Sequence, residues 1–265
     1  MKRLFTFFLI LTLASLACAK LSPTQATATT APAVAATEAA TTAPQAATTA
    51  PEAATTAPET ATTTSDGCAT EQFFTDEFNS TLCSAWTPLI KVDSEKPDSS
   101  KVTVEPQDGK LVWNFGNNYV YYYLFYKAFT YTDVKVEVNA ENRGKNNNSI
   151  SLVCRYDPNV GWYEFNIASS GLYNILYAQI TSDGKIKYNK ITNGASNNIH
   201  QGKAVNDYSI TCSGNNLTLT INDKEVKTIA ERKYSLQEGQ VGVSVSSYNV
   251  LPIQVEMDWF KVSQP

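Results

Sequence analysis

Apolar and polar residues alternate along most of the chain from Asp66 onward, and turn-forming residues separate the alternating runs. Small apolar residues occupy every second position of residues 134–140, and the same period of two recurs in residues 217–222 and 241–246. That period is typical of a strand with one buried face. Gly, Asn, Asp and Pro between the runs favour tight turns. The pattern predicts an all-β fold of successive antiparallel hairpins, packed as a two-sheet sandwich.

The N-terminus carries an export signal. Lys2 and Arg3 precede an apolar run, Leu4–Leu16, that suits a signal-peptide core but is too short to span a bilayer as a helix. Residues 15–18 (SLAC) resemble a bacterial lipobox, whose cysteine becomes acylated, although Ser15 stands where Leu, Val or Ile is usual. Residues 17–19 (ACA) also fit an ordinary signal-peptidase site. We expect a signal peptide over residues 1–17 and a surface protein anchored to the membrane through lipid on Cys18, with plain secretion as the alternative.

Residues 18–65 consist largely of Ala, Thr and Pro. A seven-residue unit repeats in phase over residues 40–60, with one proline in each copy. Proline disrupts helices and the units lack large apolar residues, so a coiled coil is disfavoured. The composition predicts a disordered tether. The predicted organisation is therefore a signal peptide (1–17), a tether (18–65) and one folded domain (66–265).

Four cysteines follow the proposed anchor: Cys68, Cys83, Cys154 and Cys212. An even number in an exported chain predicts two disulfides. Three pairings are possible, and we favour Cys68 with Cys83 and Cys154 with Cys212. The formal net charge of the chain is −4 and no basic run is present, which argues against nucleic acid as a partner.

Short motifs of the folded region resemble the concanavalin A-like jelly-roll superfamily, which includes laminin-G-like modules, laminarinase-type glycoside hydrolases and the 3-keto-disaccharide hydrolase domain. The resemblance covers nearly all of residues 66–265 and implies a jelly-roll sandwich. The motifs are Phe73–Phe78, Trp86, Asp108–Leu111, Arg155–Tyr156, Gly161–Phe165, Cys212–Leu217, Asn222–Asp223 and Met257–Val262.

The resemblance suggests one catalytic motif. Laminarinase-type enzymes carry Glu, Asp and Glu at alternate positions of one strand, and Glu137-Val-Asn-Ala-Glu141 is similar to that pattern with Asn139 in place of the aspartate. The expected position along the chain is one strand later, in residues 149–156, which contain no carboxylate. Glu137 and Glu141 are therefore weak candidates for catalysis, and a solvated strand face is the alternative.

An aromatic run, Tyr119–Tyr126, predicts a ligand-binding surface. As a strand it places Tyr121, Tyr123 and Phe125 on one face, where rings can stack on the apolar faces of sugars. Arg155, Trp162 and Tyr163 are further candidates for this surface. The alternative is that these aromatic residues pair across strands within the core.

The resemblance also implies a structural calcium ion. Asp258 and Gly109 stand where several of these sandwiches hold Ca²⁺ with an aspartate and a turn. No other cofactor is predicted.

From the sequence we expect a surface module that binds carbohydrate or another surface ligand without catalysis. The alternative is a glycoside-active hydrolase of the same fold. A second alternative is a structural or adhesion module that binds protein.

Overall fold

The computed structural model describes residues 66–93 and 98–265. The predicted signal peptide, the anchor at Cys18 and the tether lie outside the described residues. A single 3₁₀ turn, Ser99–Lys101, accompanies fifteen strands in the described part of the chain. The strands are β1 (Phe74–Asp76), β2 (Trp86–Val92), β3 (Val102–Gln107), β4 (Lys110–Phe115), β5 (Val120–Tyr131), β6 (Val134–Asn142), β7 (Asn148–Asp157), β8 (Gly161–Ala168), β9 (Leu172–Ile180), β10 (Ile186–Ala195), β11 (Val205–Ser213), β12 (Asn216–Ile221), β13 (Lys224–Ala230), β14 (Gly239–Ser247) and β15 (Ile253–Ser263).

The strands form two antiparallel sheets. One has seven strands in the order β10-β9-β8-β7-β14-β5-β2. The other has eight, in the order β13-β12-β11-β6-β15-β4-β3, with β1 paired to β15. This architecture confirms the predicted all-β, two-sheet antiparallel jelly roll.

The alternating residues account for the core between the sheets. Val134, Val136 and Val138 of β6 are fully buried there and belong to the same core cluster as Val241, Val243 and Val245 of the opposite sheet. Since each strand directs every second side chain inward, the remaining side chains of each strand lie on the outer face of its sheet.

Both predicted disulfides are present. Cys154 of β7 is bonded to Cys212 of β11 and thus links the two sheets, while Cys68 is bonded to Cys83 before β2. In the described part of the chain no helix has the length and apolar character needed to cross a membrane.

Candidate active site

A second apolar cluster lies on the outer face of the seven-stranded sheet, opposite the core. It is built from aromatic residues on three strands, because the alternation that directs Val120, Leu124 and Tyr126 inward directs their neighbours outward. The Phe125 ring stacks on the Tyr156 ring with 3.6 Å between centroids, and Trp162 meets both edge-on. The cluster comprises Tyr123, Phe125, Val153, Tyr156, Trp162 and Ala178, with Tyr121 and Tyr188 packed against it.

This outer face is strongly concave. The hydroxyls of Tyr123 on β5 and Tyr188 on β10 lie 2.7 Å apart, although β5 and β10 are separated by β14, β7, β8 and β9. Five strand spacings on a flat sheet amount to about 24 Å, which two tyrosine side chains cannot bridge. The sheet must therefore curve until its edge strand approaches β5 across the face.

Small side chains line the middle of the concave face. On β14 and β7, Ser244 pairs with Ser151 and Ser246 pairs with Ser149. Gly242 continues this row, and a Cβ atom there would lie 2.8 Å from the Phe125 ring. Larger residues of β5 and β8 stand on either side, so aromatic rings flank a strip of small side chains. We call this strip and its flanking rings the aromatic groove; the side chains that line it are buried in this structure.

Glu164 of β8 lies within this groove and is only 3% exposed. One carboxyl oxygen accepts a hydrogen bond from Ser151 Oγ at 2.8 Å. The other accepts from Tyr123 OH at 3.0 Å and from Trp162 Nε1 at 3.1 Å. Because Tyr123 also contacts the Tyr188 hydroxyl, the carboxyl group is connected through two phenols to the edge strand.

Burial raises the pKa of the Glu164 carboxyl above its ordinary value. The hydrogen bonds from Ser151, Trp162 and Tyr123 stabilise the carboxylate and reduce this increase without reversing it. A raised pKa makes the Glu164 carboxylate a stronger base than an exposed glutamate, a property that general acid–base catalysis uses.

Ser244 adds an unused donor to the same face. Its side chain is fully buried, and its hydroxyl has no hydrogen-bond partner among residues 66–93 and 98–265. Ser244 is paired in register with Ser151 and Tyr123, the two residues whose hydroxyls contact Glu164. Since an unpaired buried hydroxyl costs free energy, its position beside the carboxyl network is consistent with a partner supplied by a ligand.

The structure brings together four of the six residues predicted to bind a ligand. Tyr121, Tyr123 and Phe125 share the concave face with Trp162. Tyr163 follows Trp162 on β8 and therefore faces the inter-sheet core, where its hydroxyl donates to a carboxyl oxygen of Glu231.

Arg155 is also separated from the concave face. It lies at a bulge in β7 with a φ of 55°, and only 2% of its side chain is exposed. Its guanidinium donates to the backbone carbonyls of Thr132, Leu236 and Gly214. Arg155 therefore links three loops, and its N–H donors do not face the groove.

Glu137 and Glu141, the weak catalytic candidates, lie on the outer face of the other sheet. Glu137 forms an ion pair with Lys135 at 2.7 Å, and Glu141 forms one with Arg143 at 2.9 Å. The structure therefore places both in a charged strand face, away from the aromatic groove.

Asp258, predicted to bind calcium, faces a lysine. Its carboxylate lies 2.7 Å from Lys110 Nζ, next to the turn that contains Gly109. Among the described residues no group of three His, Cys, Asp or Glu side chains is placed to hold a metal ion. This donor set fits calcium poorly, and calcium binding stays a prediction that a thermal melt with and without chelator would test.

Glu164 was not among the residues selected from the sequence. The signal for it was the alternation in GWYEFNIA, where Trp162, Glu164 and Asn166 share the face opposite Tyr163, Phe165 and Ile167. A search for two carboxylates on one strand passes over this segment, because β8 carries one.

Solved structures share the fold at low sequence identity. The Bacteroides ovatus mixed linkage glucan PUL GH16 protein in complex with product is 16% identical with a TM-score of 0.52, covering 72% of this chain and 99% of its own. The Bacillus licheniformis beta-glucanase is 14% identical with a TM-score of 0.50, covering 74% and 100%. At these identities the likeness establishes the jelly-roll fold alone.

No curated protein matches the sequence. By contrast, the sequence pattern of the 3-keto-alpha-glucoside-1,2-lyase-like domain matches residues 74–255. This match contradicts the main functional prediction, a surface module without catalysis, because the family is described by a lyase that acts on glucosides. It favours the alternative, a glycoside-active enzyme. The chain belongs to the 3-keto-alpha-glucoside-1,2-lyase-like domain family.

Proposed function

We propose that this protein is a glycoside-active enzyme in which Glu164 is the general acid–base group. The observation that carries the proposal is the buried Glu164 carboxyl, held by three donors within a concave aromatic groove. The aromatic walls suit the apolar faces of a sugar ring, and the serine floor suits its hydroxyls. Family membership supports a glycoside as the substrate.

The family description names a 1,2-elimination from a glucoside that carries a ketone at C3. In such a reaction the ketone acidifies the hydrogen on C2. A base removes that proton, the C2–H electron pair becomes part of a new C1=C2 double bond, and the bond from C1 to the departing oxygen breaks. The departing oxygen then takes up a proton. The reaction needs one base and hydrogen-bond donors for the oxygen on which negative charge develops.

The groove supplies groups for these roles. Glu164 accepts the C2 proton as a carboxylate, and its raised pKa makes it a stronger base than an exposed glutamate. The buried Ser244 hydroxyl, which has no partner in the described part of the chain, is assigned to donate to a sugar oxygen. A retaining or inverting glycosidase instead uses two carboxyl groups flanking the glycosidic bond. The single carboxylate of β8 therefore fits elimination better than two-carboxylate hydrolysis.

Incubation of the full chain with a 3-keto-α-glucoside and with the corresponding unoxidised glucoside tests the proposal. We expect turnover of the ketone substrate, a dehydrated sugar product by mass spectrometry, and slower turnover when C2 carries deuterium. Glu164→Gln should reduce kcat/KM by about 10²–10⁴-fold, the usual contribution of a general acid–base group. The exposed Glu225→Gln is the matched control and should retain full activity.

Two outcomes would overturn this assignment. If Glu164→Gln keeps the wild-type activity and Glu137→Gln loses it, the catalytic residue lies on the eight-stranded sheet. Incorporation of ¹⁸O from labelled water at C1, without a deuterium effect at C2, would replace elimination by hydrolysis.

We further propose that the enzyme acts outside the cytoplasm on a membrane-anchored tether. The support is the N-terminal sequence alone: a signal-like segment, Cys18 in a lipobox-like context and a proline-rich tract. Metabolic labelling with a palmitate analogue should tag the protein, and Cys18→Ser should abolish the label. An unlabelled protein recovered from the medium would indicate plain secretion.

A further inference from the structure

A pocket of about 360 Å³ lies at one end of the eight-stranded sheet, on the sheet opposite to the one that carries Glu164. Its volume is at the lower end of the range for small-molecule sites. The amide side chains of Asn114 and Gln254 lie in register on β4 and β15 at its floor. Pro252 contributes apolar surface.

Two loops bring three cationic side chains to this pocket. Arg143 and Lys145 belong to the loop between β6 and β7, and Lys203 belongs to the loop between β10 and β11. The first loop is fixed to β15, since the N–H groups of Arg143 and Gly144 donate to the Gln254 carbonyl at 2.8 and 3.0 Å. Its basic residues therefore project from a backbone with a defined position.

The second loop is fixed to the first by Asn142. The Asn142 amide donates to the Gly202 carbonyl at 2.8 Å, and its backbone N–H donates to the Ala204 carbonyl at 3.2 Å. These bonds fix the residues immediately before and after Lys203. Asn142 is itself buried and receives a hydrogen bond from Asn148 at 2.9 Å. One buried residue thus holds both cation-bearing loops at the same pocket.

The charges at the pocket do not balance internally. Arg143 is paired with Glu141 at 2.9 Å and lies 3.6 Å from a Glu256 oxygen. Within residues 66–93 and 98–265, neither Lys145 nor Lys203 forms an ion pair. Lys110 also lies 3.8 Å from Glu256 and 2.7 Å from Asp258. With this pair included, four cations and three carboxylates leave one net positive charge, which matches a monoanion better than a dianion.

We infer that this pocket binds a carboxylate-bearing sugar, a uronate. Lys145 and Lys203 hold the carboxylate, the amides of Asn114 and Gln254 bind ring hydroxyls, and Pro252 contacts the apolar face of the ring. The site is separate from the proposed catalytic groove and does not depend on turnover there. It would let the protein retain an acidic glycan while a glycoside is processed on the other sheet.

Isothermal titration calorimetry of the full chain at low salt tests this site, with glucuronate as the probe, glucose as its neutral counterpart and inorganic phosphate as a second anion. We expect glucuronate to bind more tightly than glucose or phosphate. The double substitution Lys145→Gln and Lys203→Gln should weaken glucuronate binding by roughly tenfold or more, the value of a lost charge-assisted hydrogen bond.

One control variant makes the result specific. Lys187→Gln with Lys190→Gln removes two exposed lysines of β10 and should leave the affinity unchanged. Equal affinity for glucuronate and glucose, or unaltered binding in the Lys145 and Lys203 double variant, would overturn the site. Tighter binding of phosphate than of glucuronate would overturn the uronate assignment.

Discussion

Replacement of Glu164 by glutamine measures how strongly the groove favours a protonated carboxyl group. The carboxyl accepts one hydrogen bond from Ser151 and two at its other oxygen, from Tyr123 and Trp162. A glutamine amide can keep its oxygen toward Tyr123 and Trp162 and turn its NH₂ toward Ser151, because a serine hydroxyl accepts as well as donates. Glu164→Gln therefore preserves all three hydrogen bonds and imitates the protonated acid.

The size of the effect follows from the raised pKa. Above the ordinary pKa of 4.5 the unfolded chain releases the Glu164 proton while the folded protein retains it, so the wild type loses stability as pH rises toward the folded pKa. Each unit of pKa increase costs about 1.4 kcal/mol once the pH exceeds the folded pKa. The glutamine variant does not titrate here. Its stability relative to wild type should therefore grow between pH 4.5 and pH 8.

Glu231 provides a matched contrast with the opposite sign. Its oxygens accept from the Tyr163 hydroxyl and from the backbone N–H groups of Lys233, Tyr234 and Ser235. Burial opposes ionisation, but these hydrogen bonds outweigh it and lower the pKa of Glu231. An amide in either orientation would face a backbone N–H with its own NH₂. We expect Glu231→Gln to lose about 1.5–3 kcal/mol at pH 7.

Urea unfolding of the full chain, with disulfides intact and at pH 4.5, 6 and 8, measures these free energies. Thermal melts give a second readout, at about 2–4 °C for each kcal/mol in a domain of this size. A difference between Glu164→Gln and wild type that stays constant from pH 4.5 to pH 8 would show that the pKa of Glu164 is not raised. The acid–base assignment would then lose its physical basis.

Three further predictions concern the groove and the loops around it. Tyr123→Phe removes a donor to the Glu164 carboxylate, so the acidic limb of the kcat/KM profile should move to higher pH, and an unmoved limb would separate Tyr123 from catalysis. Replacing both Cys154 and Cys212 with alanine removes the disulfide between residues 58 positions apart. The free energy of unfolding, measured with urea, should fall by about 4 kcal/mol, and a decrease below about 1 kcal/mol would contradict this. In Arg155→Lys the lysine ammonium cannot donate to all three carbonyls that the guanidinium binds, so the free energy of unfolding should fall by about 3 kcal/mol. Unchanged stability would contradict the role of Arg155 in linking loops.

Period-two alternation predicted the faces of β5 correctly from the sequence. Tyr121, Tyr123 and Phe125 lie outside the core, and Leu124 and Tyr126 lie inside it. Strand geometry determines this result locally, because successive side chains point to opposite sides whatever the strand pairs with. The same rule would have separated Trp162 from Tyr163, since neighbours on a regular strand cannot share a face.

Alternation along the sequence does not predict which way the Arg155 side chain points. The register of β7 shifts between Cys154 and Asp157, and Arg155 occupies the bulge with a positive φ. An extra residue in a strand changes which face the following side chains occupy. Nothing in the local sequence marks the bulge, because the loops whose carbonyls Arg155 binds are up to 81 residues away.

Glu164 and the pair Glu137 and Glu141 show why environment matters more than motif similarity for locating chemistry. Glu137 and Glu141 match a known spacing, yet each forms an ion pair with a neighbouring cation on the outer face of the other sheet. Glu164 matches no two-carboxylate pattern, yet curvature of the sheet buries it among aromatic rings and raises its pKa. That curvature results from the packing of seven strands and is not encoded in any one of them. If Glu164→Gln is inactive while Glu137→Gln is fully active, the concave face rather than the motif will have identified the reactive carboxylate.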